Sequence, residues 1–233
     1  MYEKLKHIKL EINDEKKKLF NQYISLFLEY NNNVNLISKN DESVLFEKHI
    51  YDSLAFNLFL QQYKINKGKI LDIGTGGGFP SVPLAIAKDN LNITAVDSIK
   101  KKIKFIEIAA ETLNLDNLTP ICARVEDLPE NLKNNFDIVT TRAMADLREI
   151  LEYAIPYVKT GGYFVAYKSI KADEELKNAK NALKQLNTTL LEKIEYNLPI
   201  EENSTRVLLV FKKTKNILDS YPRKNGLVKK KPL

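Results

Sequence analysis

Residues 69–80, KILDIGTGGGFP, run from a short apolar strand into a glycine-rich turn and on towards an apolar helix. Asp72 stands two positions before Gly74, and further glycines follow at positions 76, 77 and 78. Such a turn carries no side chain that would block the close approach of a ligand. Because a strand, a bare turn and a helix N-terminus form a common phosphate and nucleotide site, this stretch predicts a nucleotide-type ligand.

The segments after this turn alternate between strand and helix patterns. Strands are predicted over residues 69–73, 92–97, 118–123, 136–141 and 161–169, and helices over residues 81–88, 98–113, 146–158 and 172–186. This alternation predicts an α/β, Rossmann-like fold whose parallel sheet is covered on both faces. The last two strands, residues 188–196 and 205–213, have no helix-length segment between them. We therefore expect an antiparallel C-terminal hairpin at the edge of a mostly parallel, seven-stranded sheet.

Two amphipathic segments precede the first strand. Residues 14–30 carry apolar side chains at helical spacing on one broad face, and a second helix is predicted over residues 42–63. These segments predict an N-terminal helical cap of residues 1–66. A main domain of residues 67–213 and a basic tail of residues 214–233 would follow it.

The composition excludes several classes of protein. No apolar run approaches the roughly 20 residues of a membrane span, and the first residues lack the apolar block of a signal peptide. We therefore expect a cytoplasmic protein with no membrane contact. The single cysteine, Cys122, makes no metal-ligand spacing with His7 and His49, so no metal site is expected. Cys122 itself is predicted to be a small buried strand residue.

The excess positive charge is concentrated at the C-terminal end. The net charge is +6, and residues 212–233 contain eight basic residues and one acidic residue, whereas the rest of the chain has 28 basic and 29 acidic residues. We expect this end to contact nucleic acid through its phosphates. Tyr221, which lies within the basic segment, is predicted to stack on a base.

Three nucleotide sites are compatible with a glycine-rich turn, and two of them fit poorly. A P-loop needs a lysine and a hydroxyl residue directly after its last glycine, and nothing after Gly78 supplies them. A dinucleotide site needs G-x-G-x-x-G, but Phe79 stands in the third glycine's place. The remaining pattern, acid-x-Gly-x-Gly-x-Gly over residues 72–78, suits a ligand that is cationic near the turn. S-adenosylmethionine, which has an ammonium and a sulfonium group, is such a ligand.

Polar residues follow three further predicted strands. Asp97, at the end of the second strand, is expected to accept hydrogen bonds from a ribose diol, although it is also a possible helix cap. Val125 and Glu126 follow the third strand, where an adenine would lie. Arg142 ends the fourth strand, where a guanidinium can hold a carboxylate, a phosphate or guanine O6. An ion pair with a helix acid such as Asp146 is the structural alternative for Arg142.

Several segments, taken in order, resemble the ribosomal RNA small-subunit methyltransferase G family, also called glucose-inhibited division protein B. They are NLIS and HIYDSL upstream, then DIGTGGGFPSVPLAI, VDSIKKKIKF, RVEDL, TTRAMADL and the terminal YPRKNGLVKKKPL. The resemblance implies a class I S-adenosylmethionine-dependent methyltransferase that methylates N7 of a guanine in 16S ribosomal RNA. Its partner would be the small ribosomal subunit or its precursor. The family's cofactor positions, carried over, are Gly74, Phe79, Val125, Glu126 and Arg142.

Residue predictions for the whole site follow from these patterns and from the resemblance. The predicted cofactor-binding residues are Asp72, Gly74, Gly76, Gly78, Phe79, Asp97, Val125, Glu126 and Arg142. The predicted RNA-binding residues are Arg124, Lys168, Arg206, Arg223, Lys224, Lys229, Lys230 and Lys231. N7 of guanine carries a lone pair and no proton, so its methylation needs alignment and no general base. We therefore expect Arg142 and Lys168 to position the reactants.

Other features leave alternatives open. Asn35, His49, Asp52 and Ser53 resemble a family signature, and a structural or substrate-positioning role is favoured for them over proton transfer. The place after the fourth strand, TTRAMAD, lacks the [DN]-P-P-[YF] motif of enzymes that methylate adenine N6. Two alternative functions are an NAD-linked oxidoreductase and a non-catalytic RNA-binding module. We expect the protein to be a monomer.

Overall fold

The N-terminal part of the chain is helical. The structure is a computed structural model and describes residues 1–169, 172–200, 204–224 and 226–233. It begins with a 3-10 helix (Tyr2–Ile8), helix α1 (Asp14–Val34) and helix α2 (Lys39–Glu42). A π-helical segment (Phe46–Ile50) and helices α3 (Tyr51–Leu54) and α4 (Phe56–Gln62) follow. Asn13 caps α1, because its side chain accepts a hydrogen bond from the backbone N–H of Lys16.

The single helix expected over residues 42–63 is instead a series of short segments. The Ser53 hydroxyl donates to the carbonyl of His49, four residues earlier, at 2.6 Å. Hydroxyls bonded in this way compete with the helical hydrogen bonds and bend the backbone. Single π-helical turns inside helices are also frequent at functional sites. The break places His49, Asp52 and Ser53 on a segment that is distorted where it meets the sheet.

Strands and helices then alternate as predicted. The elements are β1 (Gly68–Ile73), α5 (Ser81–Ala87), β2 (Leu91–Asp97), α6 (Lys100–Leu113), β3 (Leu118–Cys122), β4 (Phe136–Arg142), α7 (Leu147–Ala154), β5 (Val158–Ser169), α8 (Ala172–Asn178), α9 (Lys180–Gln185), β6 (Thr188–Asn197), β7 (Thr205–Lys213) and α10 (Leu227–Lys230). Short 3-10 turns occur at Val125–Asp127, Glu130–Leu132 and Ile155–Tyr157. The helix expected over residues 172–186 is two helices, which meet at Ala179.

The seven strands form one sheet in the order β3-β2-β1-β4-β5-β7-β6. Strands β1 to β5 pair in parallel, whereas β7 pairs antiparallel with both β5 and β6. The predicted mostly parallel sheet with an antiparallel C-terminal hairpin is therefore confirmed. The strand order reverses between β1 and β4, and ligands of open α/β sheets bind in the crevice at the carboxyl ends of the strands beside such a reversal.

Each face of the sheet is covered by its own apolar layer. Helices α1 and α3 to α6 cover one face, and α7 to α9 with the C-terminal tail cover the other. Side chains such as Phe20, Phe27 and Phe56 from the first 66 residues pack in the same cluster as Ile70 of β1. The proposed boundary near residue 66 thus marks where the sheet starts.

One prediction about the core is wrong. Cys122 is exposed, because it is the last residue of β3, and β3 is an edge strand of the sheet. Within the described ranges no helix is long and apolar enough to cross a membrane. The same part of the chain contains no group of three or more potential metal ligands.

Candidate active site

The glycine turn leaves β1 and is tied to the neighbouring strand. The backbone N–H groups of Gly74 and Thr75 both donate to the carbonyl of Val96 in β2, at 2.8 and 3.0 Å. Gly76 has a φ of 58°, a conformation that glycine adopts readily and other residues rarely do. A Cβ atom built on Gly76 would have only the carbonyl oxygen of Gly74 near it, at 4.0 Å. The backbone at Gly76 therefore faces open space where a ligand can approach.

A cavity of about 500 Å³ lies against this turn, within the usual size of a small-molecule site. Seven of the predicted cofactor residues line it: Gly74, Gly76, Phe79, Asp97, Val125, Glu126 and Arg142. The carboxyl ends of three strands and the turn after β3 converge here, which explains why residues far apart in the chain share one wall. Leu36, Lys102, Met144 and Tyr153 also line the cavity and were missed from the sequence. Leu36, Lys102 and Met144 lie within the segments NLIS, VDSIKKKIKF and TTRAMADL quoted above, whereas nothing in the local pattern marks Tyr153.

The remaining two predicted cofactor residues, Asp72 and Gly78, do not line the cavity. Asp72 is fully buried beneath the turn, where its Oδ2 accepts from the Ser81 hydroxyl at 2.6 Å. Its Oδ1 has no hydrogen-bond partner within the part of the chain that the structure describes. Burial raises the pKa of Asp72 to about 7. A Cβ atom at Gly78 would lie 2.7 Å from Cγ2 of Val82, so Gly78 allows close packing against α5.

Asp97 joins the glycine turn to the start of α6. Its Oδ2 accepts from the backbone N–H of Gly76 at 3.0 Å, and its Oδ1 accepts from the N–H of Ile99 at 2.9 Å. Asp97 therefore lines the cavity, but it does not cap α6, since the N-cap of α6 is Ile99. Each carboxylate oxygen can accept more than one hydrogen bond, so capacity remains for a ribose diol. The helix-cap alternative for Asp97 is therefore wrong, and contact with a ribose diol stays a prediction.

Val125 and Glu126 lie in a 3-10 turn on the far side of the cavity from the glycine turn. The carbonyl of Val125 accepts a hydrogen bond from the buried hydroxyl of Tyr157. This hydrogen bond joins the 3-10 turn to Tyr157, which lies between α7 and β5. Val125 and Glu126 both line the cavity.

Arg142 ends β4 and makes most of its contacts with the helical N-terminal part. Its Nη1 donates to Oδ2 of Asp52 at 2.9 Å and to the carbonyl of His49 at 3.3 Å, and its Nη2 lies 2.9 Å from Nδ1 of His49. The structural alternative, an ion pair with a helix acid, is present, but the acid is Asp52 of α3 and not Asp146. Asp146 instead caps α7 and bonds Nε of Arg148 at 2.9 Å.

His49 is neutral at physiological pH. Burial and the neighbouring Arg142 guanidinium lower the pKa of His49 to about 4. Because Nδ1 faces an N–H donor of Arg142, the imidazole proton lies on Nε2. The ring also lies against Phe79, with a centroid separation of 5.2 Å. His49 therefore holds Arg142 as a hydrogen-bond acceptor, in agreement with the expected positioning role.

A second cavity, of about 390 Å³, adjoins the first. The two share His49, Arg142, Ala143 and Met144 as a common wall. A Cβ atom at Gly74 would lie 2.7 Å from Sδ of Met144, so glycine at this position lets the Met144 side chain lie between the cavities.

Cationic side chains line the second cavity, including three of the predicted positioning or RNA-binding residues: Arg142, Lys168 and Arg206. Lys168 is paired with Glu175 at 2.6 Å and also donates to the carbonyl of Ala145. Arg206 has no carboxylate partner among the described residues, and its Nη1 donates only to the carbonyl of Thr205, at 3.2 Å. Among the described residues, this cavity therefore offers one guanidinium without a carboxylate partner, which can bind an anionic or carbonyl group.

The C-terminal tail packs on α7. Arg223 pairs with the fully buried Glu152, with Nε to Oε1 at 2.7 Å and Nη2 to Oε2 at 2.5 Å. Tyr221 is 8% exposed and its hydroxyl donates to Gln185 at 3.0 Å. Its ring is not accessible to a base, so the stacking prediction is wrong.

The other predicted tail residues, Lys224, Lys229, Lys230 and Lys231, are exposed. Arg124 is also exposed and lies at the rim of the first cavity.

Comparison with known proteins identifies the family. The family model for rRNA small subunit methyltransferase G matches residues 16–202. The chain belongs to the rRNA small subunit methyltransferase G family. Ribosomal RNA small subunit methyltransferase G of Lysinibacillus sphaericus is 37% identical over 99% of this chain and 97% of its own length. The corresponding protein of Streptococcus gordonii is 38% identical over 100% of this chain and 98% of its own length.

Solved structures show the same fold at low sequence identity. A putative S-adenosylmethionine-dependent methyltransferase of Methanococcus maripaludis is 18% identical, covers 77% of this chain and 91% of its own, and has a TM-score of 0.56. M. jannaschii TYW2, solved with S-adenosylmethionine, is 16% identical over 64% of this chain and 70% of its own, with a TM-score of 0.53. The predicted class I methyltransferase fold, the enzyme class and the cofactor S-adenosylmethionine are confirmed.

The cavity at the glycine turn fits this cofactor. The open backbone at Gly76, the carboxylate of Asp97 and the size of the cavity suit a nucleoside with a charged amino-acid arm. Membership of this methyltransferase family leaves no support for the two alternatives, an NAD-linked oxidoreductase and a non-catalytic RNA-binding module.

Proposed function

We propose that this methyltransferase transfers a methyl group from S-adenosylmethionine to N7 of a guanine in 16S ribosomal RNA. The observation that supports this most directly is the pair of adjoining cavities at the carboxyl ends of the strands, which share Arg142 and Met144 as a wall. A methyl donor in one cavity and a base in the other would meet across this wall.

The first cavity is the proposed donor site. Gly74, Gly76 and Phe79 would lie along the methionine side, and Asp97 would accept from the ribose hydroxyls. Val125 and Glu126 would contact the adenine. Bound there, S-adenosylmethionine supplies a methyl group on a cationic sulfur. Asp72 would act from beneath the turn by holding it through Ser81, and Gly78 would allow the turn to pack on α5.

The second cavity is the proposed acceptor site. Guanine N7 needs no proton removed before it attacks, so the side chains have only to position the base and exclude water. This requirement agrees with a site whose histidine is a neutral hydrogen-bond acceptor for Arg142. Arg142 and Lys168 would position the reactants, and the free guanidinium of Arg206 would bind guanine O6 or a neighbouring phosphate.

A wider RNA contact would surround the two cavities. We place Arg124 at the rim of the donor site and the exposed tail lysines, Lys224, Lys229, Lys230 and Lys231, further out. Arg223 would contribute by anchoring the tail to Glu152. We further propose that the protein is a cytoplasmic monomer that acts on the small subunit or its precursor. Light scattering of the purified protein, with an expected mass of 26.7 kDa, tests the monomer.

Mass spectrometry of 16S ribosomal RNA tests the proposed reaction. Nuclease digests from cells with and without the gene are compared, and N7-methylguanine should be lost from one position when the gene is absent. Purified protein incubated with S-adenosylmethionine and RNA from the deletion strain should restore it, on naked RNA, a precursor particle or the assembled subunit. Unchanged methylation in the deletion strain, or methylation of another base, would overturn the proposal.

A further inference from the structure

Tyr196 is a buried tyrosine on the outermost strand of the sheet. It lies in β6, the last strand in the order of the sheet, yet it is only 7% exposed. Its hydroxyl donates to Oδ1 of Asp52, in α3, at 2.6 Å. A buried tyrosine hydroxyl needs a hydrogen-bond partner, but the partner here is a carboxylate that itself contacts the active site.

The other oxygen of Asp52 binds Arg142. Oδ2 of Asp52 accepts from Nη1 of Arg142 at 2.9 Å, whereas Oδ1 is occupied by the Tyr196 hydroxyl. A carboxylate whose two oxygens are both free commonly pairs with a guanidinium through two parallel hydrogen bonds. The Tyr196 hydroxyl thus keeps the ion pair between Asp52 and Arg142 to a single hydrogen bond.

This single hydrogen bond leaves donors of Arg142 for ligands. A guanidinium has five N–H donors, and in the described part of the chain three of them are used, by Asp52 and by the carbonyl and Nδ1 of His49. The Nε hydrogen and one Nη2 hydrogen remain. Arg142 lines both cavities, so these two donors belong to a side chain in the wall that the proposed donor and acceptor sites share.

We propose that Tyr196 is a positioning residue for methyl transfer, which orients the guanidinium of Arg142 by occupying one oxygen of Asp52. Without the hydroxyl, Oδ1 of Asp52 is free to take a second donor of Arg142 and to turn the guanidinium away from the cavities. The inference rests on the proposed function, in which those cavities hold the methyl donor and the guanine.

The hydroxyl can be removed without detaching α3 from the sheet. Tyr167 of β5 independently donates to the carbonyl of Ser53 at 2.7 Å, and Phe56 stacks on the Tyr167 ring with a centroid separation of 6.2 Å. A phenylalanine at position 196 keeps the buried ring. The Tyr196→Phe variant therefore separates the orientation of Arg142 from the packing of the helix.

The test compares Tyr196→Phe with Tyr221→Phe. Tyr221 is buried to the same degree, at 8% exposed, and its hydroxyl also donates to one side-chain oxygen, but it lies in the tail. We expect similar melting temperatures for the two variants. Tyr196→Phe should lower S-adenosylhomocysteine affinity and the single-turnover methylation rate by about tenfold, the scale of one charge-assisted hydrogen bond. Tyr221→Phe should leave both within about twofold of wild type.

A double-mutant cycle adds a measurement that a purely structural role would not change. In an Asp52→Asn background, Tyr196→Phe should have no further effect on S-adenosylhomocysteine affinity, because its action passes through Asp52. If the effects of Tyr196→Phe and Asp52→Asn on S-adenosylhomocysteine affinity multiply, the two residues act independently and the inference is overturned. A Tyr196→Phe enzyme with the methylation rate and affinity of wild type would overturn it as well. Failure of the proposed function is distinguishable: wild type would then make no N7-methylguanine, whereas the calorimetric effect of Tyr196→Phe would persist.

Discussion

The guanidinium of Arg142 lies over the ring of Phe79, with Cζ 5.1 Å from the ring centroid. The same ring packs against Phe27 and Tyr23 of α1, with centroid separations of 5.2 and 6.2 Å. Phe79 therefore connects the N-terminal helices to the residue that divides the two cavities. A glycine here, as in a dinucleotide site, would remove all of these contacts. Phe79, the residue that counts against a dinucleotide site, is thus also required for the structure of this site.

Replacement of Phe79 by alanine should reduce both stability and cofactor binding. Loss of a buried phenylalanine destabilises by about 3–5 kcal/mol, and Arg142 would also lose the ring beneath it. Phe164→Ala is the control, since Phe164 is also buried and stacks on Phe211 among the residues that pack on the opposite face of the sheet. Urea denaturation should show similar losses for both variants, whereas calorimetry should show weaker S-adenosylhomocysteine binding only for Phe79→Ala. Equal weakening in the two folded proteins would contradict this prediction.

Replacement of Gly76 by alanine should weaken cofactor binding more than stability. Gly76 and Gly161 both have positive φ, at 58° and 82°, and neither would bring a Cβ atom within ordinary contact of a neighbouring side chain. Each alanine variant should therefore lose about 1–2 kcal/mol of stability through backbone strain. Only Gly76 faces the donor cavity, so Gly76→Ala should bind S-adenosylhomocysteine at least about tenfold more weakly. The prediction fails if Gly161→Ala loses the same affinity.

Replacement of Arg206 by alanine should affect RNA and leave the cofactor unaffected. Arg206 lines the second cavity and is absent from the lining of the first. Loss of one charge-assisted contact of about 1.5–3 kcal/mol should raise the KM for RNA by roughly tenfold or more. Lys159→Ala removes the same charge at the amino end of β5, where Lys159 pairs with Asp137, and should change KM little. A larger effect of Arg206→Ala on S-adenosylhomocysteine affinity than on RNA would refute the assignment of the acceptor site.

Replacement of Asp72 by asparagine should change how stability depends on pH. Burial raises the pKa of Asp72 to about 7, above the value of an unfolded aspartate, so the folded state favours the protonated form. The stabilising contribution of Asp72 to the free energy of unfolding is fully present below about pH 4 and is lost as the pH rises towards about 7.

As the pH rises from about 4 to about 7, the wild-type protein should therefore lose the stability that protonated Asp72 contributes. The Asp72→Asn variant should show no such loss, because asparagine does not titrate. The difference in unfolding free energy between the two proteins should shift in favour of Asp72→Asn by up to a few kcal/mol between pH 4 and pH 8. Chemical denaturation at several pH values measures it. Parallel stability curves for the two proteins would show that Asp72 titrates normally.

Replacement of Arg223 by alanine should destabilise the protein. Glu152 has no exposed side-chain surface and would keep a buried, unpaired charge, which costs about 3–5 kcal/mol. Lys229→Ala, in the same tail but exposed, should have little effect. Adding Glu152→Gln to Arg223→Ala should recover part of the loss, because it removes the unpaired charge. Thermal denaturation of the two single variants and the double variant measures these effects. An unchanged melting temperature for Arg223→Ala would show that the ion pair between Arg223 and Glu152 does not anchor the tail.

Local patterns were sufficient for the fold and for most of the donor site. The alternation of short apolar strands with amphipathic helices predicted the parallel sheet, and the missing helix between residues 196 and 205 predicted the hairpin. The predicted residues at the carboxyl ends of strands, such as Asp97 and Arg142, do line one cavity. Parallel strands place their ends at one edge, so position along the chain was enough to bring these residues together.

The burial of individual side chains and their pairing partners could not be predicted from local patterns. Asp72 was expected to face the cofactor, but it lies beneath the turn, because both faces of the sheet are covered and its side chain accepts from the Ser81 hydroxyl of α5. Tyr221 and Arg223 were expected to face RNA. They instead contact Gln185 and Glu152, since the tail folds back over α7.

By itself, the sequence determined the family, the order of the elements and the glycine turn of the proposed donor site, because these depend on neighbouring residues and on motif spacing. Only the tertiary structure decided how Arg142 is held. Its partner Asp52 lies 90 residues away, and the Tyr196 hydroxyl that occupies the other oxygen of Asp52 lies 144 residues from that carboxylate. No periodicity or motif relates residues so far apart, and only the pairing of β6 at the sheet edge and the packing of α3 bring them into contact.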